Sequence, residues 1–364
     1  MTTPLERPVE RAVERAVDLA AEDSSAPLRE AWYYAAPGRL LRPGRFVHRI
    51  MLGEPVLVGR DRAGAVFALR DICPHRGMPL SEGRFDGAQV ECCYHGWKFA
   101  TDGRCTAIPS LVAGQKFDLA QVSVPRYPAA EAQGNVWVYF GSDAAAAPPV
   151  PHLDGFADDA SPGFVETMRF DAAIDHAVIG LMDPAHGPFV HRAWWWRGAH
   201  SAHEKEKEFA PSDWGFTMCR HPPSSNSRAY KLLGGSQTEI SFRLPGIRVE
   251  RIEAGRLLLC NLTAITPVDD RTTDIHHCWY WNRPWLGALK PLARPFVRKF
   301  LAQDGAIMAR QQNGLAFDPV LSLIDDADTQ ARWYYQLKRE YRRARAENRP
   351  FENPVKPRTL RWRS

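Results

Sequence analysis

The sequence predicts an α+β protein in which a small all-β domain is followed by a larger domain of strands and helices. The chain has 364 residues, more than one compact core of ordinary size holds, so two domains are expected. From Trp32 to Gly141, short alternating apolar runs are separated by turn residues, which is typical of β-strands. After Pro151, helical periodicities and longer strand patterns occur together.

The domain boundaries follow from changes in composition. Residues 1–31 are predicted to be a helical extension, because apolar residues recur at helical spacing between Pro8 and Ala21. Residues 32–143 form the predicted all-β domain. Residues 144–151, alanines followed by prolines, are expected to be a linker. Residues 152–364 form the predicted second domain.

Individual elements can be assigned within both domains. The all-β domain should have strands at PVLVGR, AVFALR and NVWVYFG. In the second domain we expect helices near Asp175–Arg192, over Val297–Asn313 and from about Asp328 to Ala346, with strands at Arg248–Ile252, Arg256–Ile265 and Thr273–Trp281. The last helix is rich in basic residues, including Lys338, Arg339, Arg342 and Arg343. Such a run indicates a solvated helix face, or else a docking surface for an acidic partner.

Composition predicts a cytoplasmic protein that uses cysteine for metal binding. The N-terminus is charged, and no apolar stretch is long enough for a secretory signal or a membrane span. Seven cysteines are an odd number in a chain without an export signal, which argues against a disulfide framework. The net charge of +5 is mild, and we expect no nucleic-acid partner.

Two short motifs each combine one cysteine and one histidine: Cys73-Pro-His75 and Cys92-Cys93-Tyr94-His95. Two thiolates and two imidazoles suit either a structural zinc ion or a Rieske [2Fe–2S] cluster. Zinc fingers usually pair like ligands, whereas here each loop offers one of each kind, so each could reach both irons of a cluster. The spacing to the second histidine favours Cys92 over Cys93 as the ligand.

The segments CPHRG, starting at Cys73, and YHGW, starting at Tyr94, resemble the signature of the Rieske non-haem iron oxygenases. The match extends from about Trp32 to Pro109. The resemblance implies that Cys73, His75, Cys92 and His95 hold the cluster. It also implies a second domain of helix-grip type, with an antiparallel sheet around a catalytic iron.

A second constellation is Asp183-Pro-Ala-His186-Gly-Pro-Phe-Val-His191. On a regular helix the two histidines would point about 140° apart, and Gly187-Pro188 is expected to break the helix and bring them together. By themselves they could be two ordinary histidines. The resemblance implies that His186 and His191 bind the mononuclear iron together with one carboxylate.

Asp304 is the expected carboxylate, because an acid on an apolar helical face is costly unless it is paired or metal-bound. A solvated aspartate is the alternative, and other acids, Asp318, Asp325, Asp326 and Asp328, are competitors in a loop-like region. The sequence resembles the homomeric monooxygenase and demethylase branch of the family, which includes dicamba monooxygenase and vanillate O-demethylase. That resemblance also implies Asp304 as the carboxylate ligand.

Asp183 could be a helix N-cap before Pro184. The resemblance instead implies that it bridges His95 of one subunit to His186 of the next. That path requires a head-to-tail ring, typically a homotrimer.

The resemblance predicts a terminal oxygenase that inserts oxygen from O2 into an apolar or aromatic small molecule, by hydroxylation or oxidative demethylation. Because the sequence has no nucleotide-binding motif, a separate ferredoxin or reductase should deliver electrons from NAD(P)H. Core or subunit-interface packing is expected for Trp194–Trp196 and for the aromatic and apolar residues of the strands that carry Asn261 and His277. The alternative is a hydrophobic pocket wall in which Asn261 or His277 orients the substrate and which Met182 and Phe189 line. The rivals are ring cis-dihydroxylation, a Rieske electron carrier without catalysis, and a ligand-binding protein that has lost its iron.

Overall fold

The structure, a computed structural model, describes residues 26–141, 145, 147–191, 202–223 and 234–364. It divides into two compact units. One comprises Arg29–Pro162 with Thr266–Asp269, and the other includes Gly163–Ile265 and Asp270–Ser364. The predicted helix between Pro8 and Ala21 lies outside the described residues. No helix in the described ranges is long and apolar enough to cross a membrane.

The first unit is built from strands, as predicted. They are β1 (Ala31–Pro37), β2 (Arg45–Met51), β3 (Glu54–Arg60), β4 (Val66–Arg70), β5 (Arg84–Phe85), β6 (Gln89–Glu91), β7 (Lys98–Ala100), β8 (Cys105–Ala107), β9 (Arg126–Tyr127), β10 (Ala129–Ala132) and β11 (Asn135–Phe140). They form sheets in the orders β2-β3-β4-β9, β5-β6-β7-β8 and β1-β11-β10. The strand β11, NVWVYF, is buried along its whole length, Asn135 included, so neither of its faces is exposed to solvent.

The second unit is an eight-stranded sheet with helices. Its strands are β12 (Phe164–Phe170), β13 (Glu204–Ser212), β14 (Gly215–His221), β15 (Gln237–Arg243), β16 (Ile247–Ala254), β17 (Leu257–Pro267), β18 (Thr273–Trp281) and β19 (Arg358–Arg363), and its helices are α1 (Ile174–Met182), α2 (Gly187–Val190), α3 (Lys290–Leu315) and α4 (Thr329–Ala346). The sheet order is β12-β18-β17-β16-β15-β14-β13-β19. Antiparallel pairing along this sheet confirms the predicted α+β class.

Helix α3 begins at Lys290, well before the predicted start at Val297. Two prolines, Pro291 and Pro295, obscured this start in the sequence. Proline is tolerated in the first turn, where Pro291 lies, because the N–H groups there have no partner within the helix, whereas Pro295 lies inside the helix and supplies no N–H to it.

The basic helix α4 is not a purely solvated face, because Lys338 is 1% exposed. Its Nζ donates to both carboxylate oxygens of Asp175 at 2.8 Å, and the Tyr334 hydroxyl donates to the same carboxylate at 2.6 Å. Burial lowers the pKa of Lys338, and Asp175 partly offsets that effect. The interpretation of this lysine as solvent-facing was therefore wrong, and its charge joins α4 to α1.

Candidate metal centres

Two loops of the first unit have the same backbone hydrogen bonds. The N–H of Cys73 and the N–H of Cys92 each donate to the carbonyl five residues later, at 2.8 Å in both loops. Gly77 and Gly96 then donate back to the carbonyls of these cysteines at 2.9 and 3.0 Å, with φ of +73° and +70°. Glycine adopts this left-handed conformation without steric cost. The two motifs therefore form matched turns, one between β4 and β5 and the other between β6 and β7.

The predicted cluster ligands lie on these turns. Cys73 and Cys92 are buried, whereas Cys93 is exposed to solvent, in keeping with the preference for Cys92. The His75 and His95 rings are 4.5 Å apart between centroids. The buried Nδ1 of His95 has no hydrogen-bond partner among the described residues. A buried ring nitrogen needs a partner, and a metal ion is one that an imidazole nitrogen can bind.

The electrostatics of the turns fit a cationic group. Burial, with a contribution from the adjacent Cys92 thiol, raises the pKa of the Cys73 thiol to about 11. Neighbouring buried thiolates need positive charge, which iron supplies. The turns themselves bring together two cysteines and two histidines, the donor set that a Rieske cluster uses. A second group of possible metal ligands is formed by His186, His191 and Asp304. Their ligand atoms all lie within 4.8 Å of one another, and no other such group of three occurs among the described residues.

That group of three lies in the second unit. Nε2 of His191 is 3.1 Å from Oδ1 of Asp304 and 3.2 Å from Nε2 of His186, and the His186–Asp304 distance is 3.6 Å. Two imidazoles and one carboxylate form the ligand set that non-haem iron(II) oxygenases use, with coordination positions left open. The predicted iron ligands thus converge, although their role stays a prediction.

The helix expected near Asp175–Arg192 ends earlier than predicted, at Met182 and not at Gly187-Pro188. Helix α1 ends at Met182, and Asp183 has a φ of −58° and a ψ of 120°, outside the helical region that residues before proline avoid. Gly187-Pro188 begins the one-turn helix α2 instead of breaking a helix. His186 precedes this turn and His191 follows it, so the turn brings their rings together.

Asp304 is one of three buried residues of α3, with Leu301 and Met308. An unpaired carboxylate in such surroundings would be costly, and its neighbours here are the two histidines. Burial opposes the charged form of His186, but the carboxylates of Asp183 and Asp304 outweigh it and raise the pKa of His186. A site that attracts a proton in this way also attracts a metal cation.

Asp183 occupies the turn between α1 and α2. Its Oδ1 accepts a hydrogen bond from the Ala185 N–H at 2.7 Å, while Oδ2 lies 3.5 Å from Nδ1 of His186. Asp183 therefore stabilises a turn and is not the N-cap of α2, a place that His186 takes. About a third of its side chain is exposed, so other groups can reach the carboxylate.

The three ligand candidates line a cavity of about 350 Å³ against the sheet. Its walls are largely apolar and include Met182, as predicted. Phe189 does not line it and is 62% exposed, so that prediction was wrong, because α2 turns the side chain outward. Trp194–Trp196 lie outside the described residues.

The polar groups of the cavity wall include Asn261 and His277, so the pocket alternative holds for these two residues. Asn261 Nδ2 lies 3.4 Å from His277 Nδ1, while Asn261 Oδ1 and His277 Nε2 have no partner in the part of the chain that the structure describes. Burial, aided by Arg248, lowers the pKa of His277 to about 3, so the ring is neutral. Arg248 and Glu250 also line the cavity as an ion pair that the sequence did not reveal.

Two contacts on His191 add to the site. The Phe300 ring stacks on it at 3.6 Å between centroids and 16° between planes, and Gln303 Oε1 lies 3.1 Å from its Nδ1. The sequence did not single out Gln303, although helical spacing places it on the same side of α3 as Phe300 and Asp304.

Two family models match the chain. Residues 31–128 match the Rieske [2Fe-2S] domain, and residues 180–340 match the vanillate O-demethylase oxygenase C-terminal domain. Together they cover most of the chain and both candidate sites.

Curated relatives match part of their length. The iron-sulfur subunit of the toluene-4-sulfonate monooxygenase system of Comamonas testosteroni is 36% identical over 45% of this chain and 46% of the relative. The oxygenase component of dicamba O-demethylase of Stenotrophomonas maltophilia is 34% identical over 46% of this chain and 48% of the relative. For chlorophyllide a oxygenase of Chlamydomonas reinhardtii, 36% identity covers 47% of this chain and 26% of the relative. The matched regions thus span about a quarter to a half of these relatives.

Solved structures share the fold over most of the chain. Dicamba monooxygenase bound to dicamba has a TM-score of 0.69 at 21% identity, covering 87% of this chain and 100% of that one. Pseudomonas putida CBB5 NdmA with caffeine has a TM-score of 0.68 at 20% identity, covering 88% and 92%. At these identities the likeness concerns the fold.

Proposed function

We propose that this chain, which belongs to the Rieske non-haem iron oxygenase family, is a terminal oxygenase acting on an apolar or aromatic small molecule. The observation that carries the proposal is the convergence of His186, His191 and Asp304 in the wall of a largely apolar cavity. A simple electron carrier needs no such cavity. Residues 32–143 would be the Rieske domain and residues 152–364 the catalytic domain, joined by residues 144–151.

Two groups of residues would hold the cofactors. Cys73, His75, Cys92 and His95 would bind the [2Fe–2S] cluster, and His186, His191 and Asp304 would bind Fe(II). When bound, the cluster supplies single electrons and the iron supplies open coordination positions for O2 activation.

The protein's own contribution is to position the substrate and exclude water. Apolar residues of β14 and β15, including Phe216, Ile240 and Phe242, would contact the apolar body of the substrate. Asn261 and His277 would orient a polar substituent, because each has a buried polar atom without a partner among the described residues. A neutral His277 can offer a hydrogen bond without bringing a charge into the cavity.

Electrons would arrive from outside the chain. A ferredoxin, a ferredoxin reductase or both would reduce the cluster at the expense of NAD(P)H. Asp183 would then link His95 of a neighbouring subunit to His186 within a homotrimer, and its partly exposed carboxylate suits such a bridge. We place the protein in the cytoplasm.

Insertion of one oxygen atom is the favoured outcome. Relatives include proteins named as a monooxygenase and an O-demethylase, and the C-terminal domain model is that of vanillate O-demethylase oxygenases. Hydroxylation of a methyl group bonded to oxygen or nitrogen would release formaldehyde.

Metal analysis and oxygen uptake test the proposal together. The protein should contain about three irons per chain, two in the cluster and one at the mononuclear site. With a surrogate reductase, a panel of methoxylated aromatics, simple arenes and polycyclic lipids should show substrate-dependent O2 uptake, and ¹⁸O2 should leave one labelled atom in the hydroxylated product or in formaldehyde trapped before exchange.

The matched variants are Asp304→Ala and Asp325→Ala. Asp304→Ala should lose the mononuclear iron and all turnover while keeping the cluster, whereas the exposed Asp325 should be replaceable without effect. Two irons per wild-type chain and no O2 uptake with any compound would refute the oxygenase assignment.

A further inference from the structure

We infer that Gln303 is a positioning residue that orients the ligand His191 by accepting a hydrogen bond from its outer ring nitrogen. The inference rests on the proposed function, because it takes His191 as an iron ligand. Gln303 Oε1 lies 3.1 Å from His191 Nδ1, and the His191 ring is almost fully buried.

The two ring nitrogens of His191 face different partners: one faces the metal position and the other faces Gln303. His191 Nε2 faces Asp304 and His186, the other two ligand candidates, so Nδ1 points away from the metal position. A neutral imidazole that binds metal through Nε2 carries its hydrogen on Nδ1 and needs an acceptor there. The amide oxygen of Gln303 is that acceptor, and it therefore selects the tautomer able to bind metal.

Phe300 completes the restraint. Its ring stacks on His191 and limits tilting of the imidazole, while the hydrogen bond to Gln303 limits rotation within the ring plane. Phe300, Gln303 and Asp304 are spaced i, i+3 and i+4 on α3, so they project from one side of the helix. Helix α3 thus supplies one iron ligand, Asp304, and fixes the orientation of another, His191.

The two histidines have different outer partners. His186 has the carboxylate of Asp183, whereas His191 has a neutral amide. A carboxylate partner makes an imidazole a stronger donor and adds negative charge, while an amide orients the ring without that charge. Gln303 therefore orients the His191 ring without adding charge, whereas Asp183 both orients the His186 ring and adds negative charge beside it.

The test compares three variants of the full-length protein. Gln303→Met keeps the side-chain length but removes the acceptor, and Gln303→Glu keeps an acceptor. Gln311→Met, at an exposed position of the same helix, is the control. We would measure affinity for Fe(II) at the mononuclear site by chelator competition. The second readout would be the ligand-field spectrum of Co(II) bound there, with the cluster intact.

We expect Gln303→Met to weaken Fe(II) binding about 10- to 100-fold, the usual effect of losing an outer partner of a ligating histidine. It should also shift the Co(II) bands, which simple loosening of the helix would not do at full occupancy. Gln303→Glu should restore binding, and Gln311→Met should match the wild type.

Two results would overturn the inference while leaving the proposed function intact. One is a Gln303→Met protein with wild-type Fe(II) affinity and Co(II) spectrum. The other is equal weakening by Met and Glu, which would indicate packing only. If the wild type itself bound no mononuclear iron, the proposed function would fail and the inference with it.

Discussion

Replacing Asp183 by asparagine separates electron transfer from metal binding. Asparagine keeps the acceptor that Ala185 N–H uses at 2.7 Å, so the turn between α1 and α2 should survive. It removes the negative charge that lies 3.5 Å from His186 Nδ1. The perturbation therefore falls on the outer side of one iron ligand and on the proposed bridge to a neighbouring subunit.

The expected loss of metal affinity is modest. Removing the outer partner of a ligating histidine costs about 10- to 100-fold, or about 1.4 to 2.7 kcal/mol. The carboxylate is about a third exposed and stands at a long hydrogen-bond distance, so solvent screening places the effect near the lower end. At saturating Fe(II), the Asp183→Asn protein should hold nearly its full complement of iron.

Electron transfer should fall much further. The assay is single-turnover mixing of pre-reduced, iron-loaded protein with O2 and substrate, in which cluster oxidation is followed by its visible absorbance. We expect an intact cluster spectrum, normal iron content and very slow cluster oxidation. Asp328→Asn, at another half-buried acid whose charge interacts with that of Asp183, is the matched control and should react at the wild-type rate. If Asp183→Asn protein were reoxidised as fast as the wild type, Asp183 would be a turn residue and no bridge.

Three further predictions concern other parts of the molecule. Cys92→Ala should abolish the Rieske spectrum, whereas Cys93→Ala should keep it; the opposite pattern would reassign the ligand. Lys338→Met should lower the free energy of unfolding by about 3–5 kcal/mol, because it leaves the buried Asp175 carboxylate without its cation. The double variant with Asp175→Leu should recover most of that loss. A calorimetric melt without this recovery would contradict the pairing. Because the folded-state pKa of His277 is about 3, below its unfolded value, protons bind the unfolded chain first as pH falls. Between pH 6 and 4 the wild type should therefore lose stability more steeply than His277→Gln, by about 1.4 kcal/mol per pH unit, and parallel stability curves would show that His277 is not buried as a neutral ring.

Local patterns predicted part of the regular structure. The alternating runs gave strands β3, β4 and β11, and helical spacing gave α3 and α4, because these segments bury a face that their own residues define. The break between α1 and α2 was misplaced, since both Asp183-Pro184 and Gly187-Pro188 can end a helix and the sequence does not rank them.

The candidate ligands were found because each motif joins reactive residues at short spacing or places an acid on an apolar face. The outer contacts were not found in this way. Gln303 has nothing in its sequence neighbourhood to distinguish it from Gln311 or Gln312, and its role arises from a contact with a residue more than a hundred positions earlier. Likewise, Arg248 and Glu250 enter the cavity wall through the pairing of β16 with its neighbours in the sheet.

The buried charges show how the fold supports the site. Asp304 and Lys338 both lie buried on helices that otherwise expose many polar residues, and a buried charge requires a partner. Asp304 faces the histidines and Lys338 faces Asp175, which lies in the first turn of α1. Since α1 ends at the Asp183 turn that carries His186, the Asp175–Lys338 pair anchors the start of the same helix whose end places an iron ligand. A loss of the pair should therefore lower mononuclear iron affinity as well as stability, and this coupling gives a structural reason for a costly ion pair between residues that do not line the cavity.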